Sequence, residues 1–169
     1  MADTVLTGRA HVFGDDINTD YIIAGKYTKT MDYTELAAHL LEDIDPGFSS
    51  RVQPGDIIVA GSNFGCGSSR EQAPLAIKQA GIGAVLAKSF SRIFFRNAIN
   101  LGMPALVCDT YGISAGDTVT VDLTAGAVVD EMTGARLDAE PLAPAMVAIL
   151  REGGLVAYLR KHGTFAVEE

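Results

Sequence analysis

The sequence predicts an α/β domain built on a parallel sheet, with a β-rich appendage in its C-terminal half. Three observations lead there. Ile57-Ile58-Val59-Ala60 and Ala84 to Ala87 are uninterrupted apolar runs of the kind that marks strands buried on both faces. Each is followed by a turn and then by a segment with helical spacing, the alternation that builds parallel sheets. Beyond Gly116 the apolar residues alternate with period two, as in an antiparallel hairpin. At 169 residues, 48% hydrophobic and 20% charged, the chain has the size and balance of one folded domain, and residues 1–169 are read as a single unit without repeats or linkers.

In chain order, Arg9 to Phe13 reads as a strand, and the polar run from Gly14 to Asp20 as a loop of turn-forming residues. Tyr21 to Ala24 reads as a brief strand and Gly25 to Met31 as irregular. Asp32 is placed to cap a helix running to about Asp43, with Glu35 completing a capping box. Asp45-Pro46-Gly47 ends that helix, and Pro54-Gly55-Asp56 turns the chain into the buried strand Ile57 to Ala60. A glycine-rich loop follows, then a helix capped by Ser68 or Ser69 that carries Leu75, Ile77 and Ala80 and closes at Gly81. After the strand Ala84 to Ala87, a second helix spans Ser89 to Leu101 with Ile93, Phe94 and Ile99 inward, and Ala105 to Cys108 is a third strand. A hairpin turns at Thr124-Ala125-Gly126, and two short helices, Ala143 to Arg151 and Gly154 to Lys161, close the chain.

Composition excludes several classes of function. A net charge of −8 opposes binding to nucleic acid or to an anionic membrane, both of which recruit basic surfaces. The apolar runs are far too short to span a bilayer and the N-terminus has no apolar signal core, so the cytoplasm is the expected location. Two cysteines, Cys66 and Cys108, without CxxC spacing, indicate neither a disulfide framework nor a zinc site.

The chemistry concentrates in the loop Gly61-Ser62-Asn63-Phe64-Gly65-Cys66-Gly67-Ser68-Ser69-Arg70-Glu71. It follows a buried strand, and parallel sheets bind ligands at the carboxyl ends of their strands. Its glycines let the backbone approach a ligand, N–H groups at a helix start favour an anion, and Arg70 offers a planar fork matched to a carboxylate. Three other readings stand beside this one: a merely capped turn, a nucleotide loop that lacks both the GxxxxGK[ST] and GxGxxG strings, and a thiol nucleophile at Cys66.

The string GSNFGCGSSRE, with Asn18-Thr19-Asp20 upstream and KSFSRIFFRNAINLGMP downstream, resembles the swivelling domain of the aconitase superfamily, and most closely its stand-alone small subunits of the isopropylmalate isomerase type. The resemblance runs from about Gly8 to His162. It implies a swivelling β/β/α-type domain and a hydro-lyase active only as a heterodimer or heterotetramer with a large subunit that carries a 4Fe-4S cluster on three cysteines. This chain, with two cysteines, would hold no metal. Ser68 would be the base that takes the carbon proton, Asp20 an acidic catalytic residue, and Arg70 the clamp on a substrate carboxylate, with Ser69 and the Gly67 backbone shaping that subsite.

The resemblance places the variable group of a small hydroxy-dicarboxylate against the loop after Asp20, where Tyr27 and Lys29 would meet it. Ile22, Ile23 and Tyr27 favour an isopropyl group. Lys29 favours a carboxylate, because homoaconitase-type relatives carry an arginine in this loop. Isopropylmalate therefore ranks ahead of homoaconitate and dimethylmalate. A non-catalytic carboxylate-binding module is the reading from another class. His11, His39 and His162 are assigned no role, and Gln72, where many relatives have His, is assigned to the surroundings of the helix.

Overall fold

One strand joins the two halves of the sheet. In the computed structural model, which describes residues 3–164, β1 (Val5–Val12) pairs antiparallel with β5 (Thr118–Asp122) along Val5 to Arg9. From Ala10 to Val12 it pairs parallel with β2 (Ile57–Ala60). Gly8 sits just before this change of partner, and a Cβ there would lie 1.9 Å from the Gly55 carbonyl oxygen, so only glycine lets the Pro54-Gly55 turn close against the strand. The described residues form one seven-stranded sheet in the order β4-β3-β2-β1-β5-β6-β7. The strands β3 (Ala84–Ala87) and β4 (Ala105–Val107) extend the parallel half. The strands β6 (Ala127–Asp130) and β7 (Arg136–Asp138) extend the antiparallel half.

The unbroken apolar runs are explained by two cores, one on each side of the sheet. Successive strand residues point to opposite faces, so Ile58, Ala60, Val85 and Ala87 enter one core with Leu36, Phe48 and Ile77. Ile57, Val59 and Leu86 enter the other with Val119, Val121 and Ile149. The first core is covered by α1 (Thr19–Ile22), α2 (Tyr33–Ala38), α3 (Phe48–Arg51) and α4 (Gln72–Gln79). The second is covered by α6 (Pro144–Arg151) and α7 (Leu155–His162), while α5 (Arg92–Asn100) contributes to both.

Several expectations are corrected. Tyr21 to Ala24 is not a strand: the Asn18 side chain accepts from the Tyr21 N–H and caps a helical turn, α1, which runs into a 3-10 turn at Gly25–Tyr27. The helix from Asp32 stops at Ala38, because Leu41 adopts φ +56 and donates its N–H to the Ile22 carbonyl, which places Leu40 and Leu41 in the core. Asp32 caps it as expected, but Glu35 accepts from the Thr30 hydroxyl, which in turn accepts from the Asp32 N–H, so the box closes through a relay. Neither Ser68 nor Ser69 caps α4, which begins at Gln72. On α5, Phe94, Ala98 and Ile99 face inward, whereas Ile93, roughly 100° from Phe94 around the helix, is 49% exposed. The hairpin forms, with Val119, Val121, Val128 and Asp130 buried, and the sequence did not indicate short, charged β7 or α3.

At the amino end of β2, Asp56 gathers three donors: the Gln53 N–H at 3.0 Å, His11 Nε2 at 2.7 Å and Arg9 at 3.4 Å. Burial pushes its carboxyl up, but these donors outweigh burial and hold it below the ordinary carboxylate range. A depressed folded-state pKa means that this contribution is complete above the unfolded carboxylate value and is lost as pH falls through the lower folded value. Asp56→Asn is therefore expected to destabilise the chain by about 1–3 kcal/mol at pH 7 in urea titrations. It should also flatten part of the loss of stability below about pH 4.

Candidate active site

The loop after β2 is held against the segment after β1 as if by a zip. Gly61 N–H donates to the Gly14 carbonyl, Asp16 N–H to Ser62, Gly65 N–H to Ile17 at 2.7 Å, and Thr19 N–H to Cys66 at 2.8 Å. Side chains add to it: Ser62 N–H donates to Asp15 Oδ1 and the Asn63 amide to Asp16 Oδ1. Parallel pairing of β1 with β2 brings both strand ends to the same rim of the sheet, so the two segments must meet there.

Within this frame the glycines have separate reasons. A Cβ on Gly61 would lie 1.9 Å from Asp15 Oδ1. Gly65, at φ +80, lies against the face of Phe94, 2.2 Å from where its Cβ would be. Phe64 and Phe90 pack around Phe94 in turn, which fixes the loop to the start of α5. Gly67, at φ +96, turns the chain back so that Ser68 faces Thr19.

The serine, the arginine and the aspartate named from the sequence converge at this rim. Ser68 is exposed, and its Oγ lies 3.1 Å from Thr19 Oγ1. Arg70 forms an ion pair with Asp20 and donates to the Ile23 carbonyl at 3.3 Å. Asp20 is 65% exposed and Arg70 27%, so the pair opens to solvent. Gly67 and Ser69 are exposed beside them. Gln72 donates to the Thr28 carbonyl at 3.1 Å and ties α4 to the variable loop.

That loop is arranged differently from the expectation. Ile22 and Ile23 are fully buried in the core and offer no apolar wall to a ligand, because α1 turns both inward. Lys29 is exposed. The Tyr27 ring lies flat on His39, with centroids 3.8 Å apart, and Lys26 lies over the ring at 5.2 Å. His39 is in turn 2.7 Å from Glu42, so this histidine supports the loop although the sequence assigned it nothing. Thr19 was also passed over, although it sits inside the quoted Asn18-Thr19-Asp20 string, because a threonine carries no signal of its own.

Desolvation and the nearby charge of Asp16 raise the Cys66 thiol, the opposite of what a nucleophilic cysteine needs, and burial pushes the Cys108 thiol up to about 11. Among the described residues no group of three or more His, Cys, Asp or Glu is placed to hold a metal ion.

The Aconitase C-terminal domain profile matches residues 15–110, which span both halves of the zipped rim. The chain belongs to the aconitase C-terminal domain family. Among its relatives in this family, the 3-isopropylmalate dehydratase small subunit 2 of Archaeoglobus fulgidus is 53% identical over 163 residues, covering 96% of this chain and 99% of that one. The methanogen homoaconitase small subunit of Methanothermobacter thermautotrophicus is 47% identical, covering 93% and 92%. A solved structure of 3-isopropylmalate dehydratase from Methanocaldococcus jannaschii superposes with a TM-score of 0.90 at 50% identity, over 94% of this chain and 95% of that one. The fold is therefore the α/β fold of aconitase-type small subunits, as the sequence implied.

The close approach at Gly65 can be separated from its positive φ. Gly65→Ala is expected to destabilise by about 2–5 kcal/mol, combining backbone strain with the collision with Phe94. Gly112→Ala, at φ +99 with no atom within 4 Å, should cost only about 1–2 kcal/mol by urea denaturation.

Proposed function

We propose that this chain is the small subunit of a 3-isopropylmalate dehydratase, which interconverts 2- and 3-isopropylmalate by removal and re-addition of water. The juxtaposition of Ser68, Arg70 and Asp20 on one open rim carries the proposal. Near-full-length relatives named for this activity support it, as does the solved 3-isopropylmalate dehydratase structure.

Such a reaction needs a base for the carbon proton, a clamp for the carboxylate and a Lewis acid for the departing hydroxyl. Ser68 is the proposed base. Arg70 is the proposed clamp: its fork binds a carboxylate in two parallel hydrogen bonds, and its present carboxylate partner, Asp20, is a side chain that substrate can displace. Asp20 is the proposed acidic catalytic residue beside it. Gly67 and Ser69 lie where a bound carboxylate would meet the loop. The Lewis acid is assigned to a large subunit carrying an iron–sulfur cluster, because this chain has only two cysteines, Cys66 and Cys108, against the three that hold such a cluster in the family it resembles. The open rim is the side on which that subunit has to close, in a heterodimer or heterotetramer. No helix among the described residues is long and apolar enough to cross a membrane, which is consistent with a cytoplasmic enzyme.

Homoaconitase is the second reading, favoured by exposed Lys29 in the variable loop and by the homoaconitase relative. Lys29 and Tyr27 are the proposed specificity positions in either case. The buried Ile22 and Ile23 weaken the first argument for an isopropyl pocket, and an apolar wall would then come from the partner or from Tyr27.

The chain, mixed anaerobically with its cluster-loaded large subunit, should turn over 3-isopropylmalate faster than homoisocitrate or 2,3-dimethylmalate, followed by alkene absorbance. Ser68→Ala should lower kcat by about 10²–10⁴-fold while leaving assembly intact by gel filtration. Preference for homoisocitrate, abolished in Lys29→Ala, would establish the second reading. Lack of turnover on all three would sink both.

A further inference from the structure

Four polar or charged residues are buried among the described residues: Thr19, Asp56, Thr110 and Asp130. Asp56 binds the donors at the far end of β2. Thr110 donates to the Ala60 carbonyl at 2.7 Å and fastens the backbone, and Asp130 accepts from the Met132 N–H while burial and the neighbouring Asp117 raise its carboxyl, far from the serine loop. Thr19 differs from these, because its hydroxyl meets the side chain of the proposed base.

Thr19 Oγ1 lies 3.1 Å from the Ser68 carbonyl oxygen, which can only accept, and 3.1 Å from Ser68 Oγ. A threonine hydroxyl has a single proton. While that proton is on the carbonyl, the hydroxyl–hydroxyl bond must use the Ser68 proton, which is thereby aimed inward at Thr19. Once Ser68 has lost its proton, the same bond persists only if Thr19 turns its own proton from the carbonyl to the alkoxide. Everything else about Thr19 is held in place. Its N–H is bonded to Cys66, its carbonyl takes the Ile23 N–H, its χ1 is restricted by β-branching, and it is 2% exposed. Only the O–H rotor is left to move.

We infer that Thr19 is a positioning residue of the reaction: a buried hydroxyl rotor that orients neutral Ser68 and donates to its alkoxide. The inference rests on the reading of Ser68 as base. In the dehydration direction the substrate C–H bond breaks and its proton forms the O–H bond of Ser68. The freed electron pair becomes the second bond of the alkene, and the substrate hydroxyl departs as hydroxide into the partner's half of the site. Thr19 keeps its own proton throughout and returns it to the Ser68 carbonyl when Ser68 is protonated.

The test uses the reconstituted two-subunit complex with 3-isopropylmalate and compares wild type, Thr19→Val and Thr19→Ser. Valine preserves shape and branching but removes the rotor. It is expected to lower kcat by about 10²-fold, the scale of losing one donor to a developing anion, with KM within a few-fold of wild type. An alkoxide without its donor forms at higher pH, so the rising limb of the kcat–pH profile should move to higher pH in Thr19→Val. It should return towards the wild-type position in Thr19→Ser. Wild-type kcat in Thr19→Val would overturn the inference, and so would a lower kcat with an unmoved limb and no rescue by serine, the pattern of a structural role alone. If the valine variant does not assemble, Thr19→Cys, a similar volume with a weak donor, is held to the same criteria. Where the wild-type complex prefers homoisocitrate, the same comparison is made on that substrate; a wild-type complex without turnover on 3-isopropylmalate, homoisocitrate or 2,3-dimethylmalate removes the reading of Ser68, and the inference with it.

Discussion

The site depends on one backbone arrangement: two segments nearly fifty residues apart, 14–20 and 61–70, hydrogen-bonded along their length at the carboxyl rim of the parallel strands. Each carbonyl and N–H in that zip would otherwise need water. Because they are satisfied by each other, the loop takes one shape without a helix or strand of its own. The glycines make the shape possible. At Gly61 and Gly65 a side chain would collide with Asp15 or Phe94, and at Gly67 the left-handed turn sends Ser68 back towards Thr19.

Two cores hold that arrangement from below. Every residue of β2 and β3 is buried, alternately against one core and the other, so neither strand can slip by one position without exchanging its whole apolar set between faces. The register of β1 against β2 is therefore firm, and with it the relative position of Asp20 and Ser68. The stacked Phe90 and Phe94 extend the same rigidity to the start of α5.

What this frame presents is a rim of polar side chains open to solvent. A hydroxyl beside a buried second hydroxyl and a guanidinium paired with an exposed carboxylate meet on one surface.

The sequence by itself determined the parallel half of the fold and the residues that converge on its rim. Four-residue apolar runs between glycine turns and helical segments have few other solutions, and the GSNFGCGSSRE string sits directly after one of them. It did not determine α1, the early end of α2, or β7, because each is set by something distant: the Cys66 carbonyl that receives the Thr19 N–H, the Ile22 carbonyl that receives Leu41, and the open edge of β6 that receives a short charged strand. The same limit explains the variable loop. Ile22 and Ile23 read equally well as a ligand wall or as core, and only the packing of α1 turned both inward, while the flat seat of Tyr27 on His39 joins residues whose pairing no local pattern encodes. Periodicity carries information about which face is buried. Which polar atoms meet across fifty residues is decided by register and by the geometry of the turns, and that information exists only once the chain has folded.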